Sequence, residues 1–99
     1  MSVWYTRLQM RFTLLFLIAG LLAATNQVKN EKPGGVPDGS LQFFTVKQSP
    51  VPTSVQLYRN GVRQYPGVDF ATYPSTKRIG FFPCCIPQPG DLLLIDYEY

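Results

Sequence analysis

Ninety-nine residues, 45% of them hydrophobic, allow one small domain, and the formal charge of +3 comes from nine Lys/Arg against six Asp/Glu. Arg7 and Arg11 precede an apolar run, so from Asn26 onward seven cations face six acids; a nucleic-acid-binding face would have only Arg59, Arg63, Lys77 and Arg78 to draw on. No histidine occurs, which removes the usual general base, the Ser-His-Asp and Cys-His nucleophile systems and the commonest metal ligand.

Residues 1–25 read as a secretory signal peptide. Two arginines and no acid lead into the apolar run FTLLFLIAGLLAA over residues 12–24, closed by small residues. As a helix, that run would span roughly 20 Å against a hydrocarbon core of about 30 Å. Cleavage after Ala24 or Thr25 places Leu22 or Ala23 at the minus-three position, neither being a clean A-x-A site. The expectation is a secreted or periplasmic product. The alternatives are a membrane anchor through residues 12–24 and an overextended gene start. No cysteine follows the run, so lipoprotein processing is not expected.

Residues 26–40 (NQVKNEKPGGVPDGS) are polar, hold three glycines and two prolines, and read as a flexible linker. Residues 41–99 then form the folding unit. A unit of that size buries only about 60% of its unfolded-chain surface, so a disulfide, a metal or a partner chain is expected to help it.

Short runs rich in β-branched and aromatic residues, punctuated by turn dipeptides, predict about six strands, over residues 41–46, 55–59, 62–65, 69–72, 78–82 and 92–97. The expected fold is all-β: a small antiparallel β-sandwich or partly open barrel, preceded by an N-terminal apolar helix. Pro50 and Pro52 interrupt the chain after the first strand, which makes that connection a loop or an edge.

Arg59-Asn60-Gly61-Val62 is the sharpest local signal, because a two-residue type I′ hairpin needs positive φ at both centres and Asn60-Gly61 supplies it. The register follows: Arg59 opposite Val62, Tyr58 opposite Arg63, Leu57 opposite Gln64. Val55, Leu57 and Val62 then share the predicted core face, while Tyr58, Arg63 and Tyr65 share the other, with Arg63 lying against Tyr58 as a cation–π pair. Pro66-Gly67 and Pro89-Gly90 have the residue order of type II turns. In the last strand Leu93, Ile95 and Tyr97 point one way and Leu92, Leu94, Asp96 and Glu98 the other, so its first half is apolar on both faces. Leu92 and Leu94 are therefore either covered by the linker or a loop, or form an interface with a second copy. Of Phe43, Phe44, Phe81 and Phe82, alternate members must face inward.

Cys84 and Cys85 are adjacent in a proline-bounded loop and cannot staple distant parts of the fold. Two packed free thiols, a vicinal disulfide and an intermolecular bridge all remain open. One such pair supplies too few ligands for a metal. Asp96 and Glu98, about 6.6 Å apart on one strand face, have the residue types of a glycosidase pair, and Asp69, Asp91 or Asp96 those of a calcium site. The simpler reading of all these acids is hydrogen bonding to local backbone. No catalytic, cofactor-binding or metal residue is assigned.

The order of elements, Leu57 through Asn60-Gly61 to Gln64, Gly67-Val68-Asp69-Phe70, Ile79-Gly80-Phe81 and Pro87-Gln88-Pro89-Gly90-Asp91 with Leu94, Asp96 and Tyr97, resembles a small β module of bacteriophage tail and fibre proteins and related bacterial proteins. The resemblance covers about residues 55–97. It implies a structural or adhesive spacer, often trimeric or repeated, with no catalytic residues to transfer. This chain adds a leader and the cysteine pair, and carries a single copy. The function expected is a non-enzymatic exported β module acting by self-association or by binding another protein, with no nucleic acid, no cofactor, and membrane contact only through the N-terminal segment. The alternative is a phage-derived structural module whose leader is incidental.

Overall fold

The computed structural model describes residues 26–99, so the expected helix over residues 12–24 and the leader lie outside the described residues. The described chain is all-β, with strands β1 (Gln27–Glu31), β2 (Phe43–Thr45), β3 (Gln56–Arg59), β4 (Val62–Gln64), β5 (Phe70–Tyr73), β6 (Arg78–Phe81) and β7 (Leu93–Glu98). Single 3-10 turns at Pro52–Ser54, Pro74–Thr76 and Pro83–Cys85 each begin on proline, whose fixed φ suits a first helical position where no N–H is needed.

Two antiparallel sheets form, β1-β7-β3-β4 and β2-β6-β5. Their inward faces bury one shared core. Leu57, Leu93, Ile95 and Tyr97 come from the first sheet, Phe44, Phe70, Ile79 and Phe81 from the second, with Val46 and Val55 beside them. The strict alternation of β7, with Leu93, Ile95 and Tyr97 buried and their neighbours half-buried, is the period-two pattern expected of it. Phe44 and Phe81 meet edge-on at 5.8 Å between ring centroids, while Phe43 and Phe82 face outward.

The Asn60-Gly61 hairpin has the predicted register, Arg59 to Val62, Tyr58 to Arg63 and Leu57 to Gln64, with φ of 53° at Asn60 and 82° at Gly61. Both Pro-Gly turns close on a backbone hydrogen bond, Val68 to Tyr65 and Asp91 to Gln88, with positive φ at Gly67 and Gly90.

Three expectations are corrected. The first concerns the linker: Gln27–Glu31, placed in a flexible tether, is an edge strand paired with β7 in the register Gln27 to Glu98 and Val28 to Tyr97. Asn26 and Tyr99 exchange both backbone hydrogen bonds at its end, so the first described residue and the last residue of the chain lie side by side. After β1 the chain crosses to the second sheet, where Gly34 bridges to Thr45. The second concerns Val62, assigned to the core and in fact 64% exposed. It shares a face with Leu57, but it lies at the hairpin tip on the sheet's edge strand, β4. Third, among the described residues the cation–π contact is Arg78 over Phe43, 4.6 Å from the ring centroid, rather than Arg63 on Tyr58.

Candidate functional site

β1 is short of apolar residues and has the features that discourage strand addition. Between Val28 and Glu31 its register shifts by one residue against β7, a bulge at which Asn30 takes φ of 54° and donates its N–H to Asp96 Oδ1 at 2.7 Å. Lysines at 29 and 32 flank the bulge. Lysine and a bulge on an exposed edge both oppose pairing with another chain. The same features make β1 one wall of a cleft.

That cleft, about 410 Å³, runs along β1 and is bounded across from it by Lys47 and Gln48, with Tyr99 at one end. Its construction starts from a buried carboxylate. Glu31 points inward at the end of β1 and is 9% exposed. Its Oε1 accepts the Tyr97 hydroxyl at 2.7 Å and its Oε2 accepts the Lys47 backbone N–H at 2.9 Å, while the Tyr97 oxygen accepts the Gln48 N–H at 3.1 Å. A buried charge needs this degree of satisfaction. The result fixes the Lys47–Gln48 turn of one sheet against β1 and β7 of the other. Burial, and then the hydrogen bond to Glu31, push the Tyr97 hydroxyl up to about 12, so it stays a neutral donor throughout the physiological range.

Lys29, Lys32 and Lys47 all line the cleft, and they are three of the four lysines in the sequence. Among the described residues the one ion pair, Arg59 Nε to Asp91 Oδ2 at 2.7 Å, lies at the far end of β3. The basic residues considered from sequence are dispersed instead. Arg59 and Arg63 sit on opposite faces of the hairpin, Arg78 lies over Phe43, and Lys77 caps a 3-10 turn at φ of 55°. The cleft was missed because two of its lysines sit in the segment taken for a tether; its only sequence signal is the alternation of Val28 with polar neighbours before Glu31.

The other end of the molecule is a structural clamp. Asp91 Oδ2 accepts from Arg59 Nε and from the Gln88 N–H, and its Oδ1 accepts from Asn60 Nδ2. Asn60 also accepts the Leu92 N–H and donates its own N–H to the Leu92 carbonyl. The hairpin turn residue thereby ties the Pro89-Gly90 turn to β3. The Gln88 N–H and then the Asn60 amide and Arg59 hold the Asp91 carboxyl below the usual range. Arg59 Nη1 further donates to the Cys85 carbonyl at 3.1 Å.

Cys84 and Cys85 are bonded to each other as a vicinal disulfide. A bond between neighbours closes no long loop, so its effect is confined to its own turn. Leu92 is 44% exposed and Leu94, opposite Tyr58 on the outer face, is half-buried; β1 lies beside β7 and not over them. Asp96 serves the β1 bulge, the Glu98 N–H donates to Ser54 Oγ, and Asp69 Oδ2 accepts the Tyr65 N–H. No cluster of three or more metal-ligating side chains forms among the described residues. No protein-family model, curated protein or solved structure matches the chain.

Proposed function

We propose that the protein is a non-enzymatic, exported β module that acts by association, and that the lysine-lined cleft beside β1 is where an anionic partner docks. The two sheets around one core read as a small sandwich serving as the scaffold. The observation that carries the proposal is the convergence of Lys29, Lys32 and Lys47, from two separate segments, on one cleft whose far wall is held by the Glu31–Tyr97 pair. That pair fastens the Lys47 turn directly to the end of β1, beside the Gly34–Thr45 bridge.

Titration of the full chain with polyglutamate, a generic polyanion, tests this. Wild type is expected to bind in a salt-dependent manner, and Lys29→Gln, Lys32→Gln and Lys47→Gln combined to lose at least tenfold in affinity, with Arg63→Gln unchanged. Equal binding by the triple variant would overturn the docking site.

Self-association is favoured by a different observation, the exposed Leu92 beside half-buried Leu94 on the outer face of β7. There Leu94→Lys should disperse an oligomer seen by sedimentation while leaving the monomer folded. The phage-derived structural reading draws on the order of turns and strands from Leu57 to Tyr97, and would be supported by an unprocessed leader in the natural product.

A further inference from the structure

We infer that the cleft between β1 and the Lys47–Gln48 turn is a binding site for a phosphate group carried on a small polar ester; this rests on reading the cleft as the association site. The charge balance comes first. The lining side chains, three lysines and Glu31, sum to a formal +2, which a doubly charged phosphate monoester would balance. The Glu31 carboxylate is engaged by Tyr97 and by the Lys47 backbone, so it holds the wall in place and leaves the lysine ammonium groups to the ligand.

The donor type comes second. The lining holds no arginine, the residue whose planar fork suits a carboxylate, whereas lysines act as separate point charges that can surround a tetrahedral anion from several directions. Size comes third. A volume of about 410 Å³ exceeds one phosphate and falls within the range of small-molecule sites, leaving room for a glycerol or sugar unit beside Gln48 and the Tyr99 ring.

Two sources offer this chemistry, phosphatidic acid, whose headgroup is itself a phosphate monoester, and a free phosphate ester. The sequence brings the first within reach. Lys29 follows the apolar run at residues 12–24 by five residues, a chain length that spans at most about 17 Å. Lysines that close to a bilayer are drawn to its anionic headgroups.

The test uses the full chain in neutral maltoside micelles, followed by amide chemical shifts. Glycerol 3-phosphate should move Lys29, Lys32, Lys47 and Gln48, and the triple Lys→Gln variant should bind it at least tenfold more weakly, with Arg63→Gln as an unaffected control and Lys29→Gln as a single-site check that folding is intact. Doping the micelles with phosphatidic acid should move the same amides if headgroups are the source; a response to the soluble ester alone would assign a free ligand. No response to either probe, or equal binding by the triple variant, overturns the inference. Polyglutamate binding that still depends on the three lysines in that case would leave the association reading standing, and its loss would remove both.

Discussion

Gly61 and Tyr97 show how differently two residues hold this fold. A Cβ added at Gly61 would meet nothing within 4 Å, yet φ is 82°. Gly61→Val should therefore cost about 1–3 kcal/mol from backbone strain alone, read as a drop in melting temperature; unchanged melting would contradict the hairpin geometry. Tyr97 is buried, and its hydroxyl donates to Glu31 while accepting from Gln48. Tyr97→Phe strands both partners and should cost about 1–3 kcal/mol at neutral pH. The pH dependence follows from its titration: burial and the bond to Glu31 raise the folded value to about 12 from the ordinary 10.0. The stabilisation is complete below about pH 10 and is lost as pH rises through about 12, on the order of 3 kcal/mol in all. The gap between wild type and Tyr97→Phe in urea midpoint should narrow over that interval. A constant gap would show that the hydroxyl is not held as described.

At the level of elements, legibility depended on how much each strand buries. The six strands between Phe43 and Glu98 are rich in apolar residues, and Asn60-Gly61 or a Pro-Gly turn borders β3, β4, β5 and β7, so local chemistry already marks them. β1 carries little such signal. Its inward side offers Val28 and Glu31, its edge is polar, and a bulge at Asn30 breaks the period. Pairing with β7, some seventy residues away in sequence, creates it, and composition cannot show that. Val62 erred in the other direction: its register was right, but it lies at the hairpin tip on an edge strand. Asp69 and Asp91 accept from local backbone N–H groups as expected, whereas Asp96 accepts from Asn30, 66 residues away on β1.

Across the whole molecule, the two ends of the first sheet do different work. At the hairpin end, Arg59, Asn60 and Asp91 lock turns together and present the Cys84–Cys85 loop. At the other end Asn26 and Tyr99 pair, and the cleft opens alongside them. The lysine site exists because β1 is docked on β7 and Glu31 reaches the Lys47 turn; undock β1 and Lys29 and Lys32 become side chains on a tether. The site thus rests on one strand pairing.

Amide hydrogen exchange over residues 26–31 tests that pairing most directly. Asn26 and Tyr99 exchange both hydrogen bonds, so in an antiparallel ladder Val28 is the next inward-bonded position and Gln27 and Lys29 point to the open edge. Slow exchange is expected at Val28, and at Asn30 through Asp96, with Gln27 and Lys29 fast. Uniformly rapid exchange from Asn26 to Glu31 would mean that the segment is a tether, and the cleft would lose the wall on which the proposed docking rests.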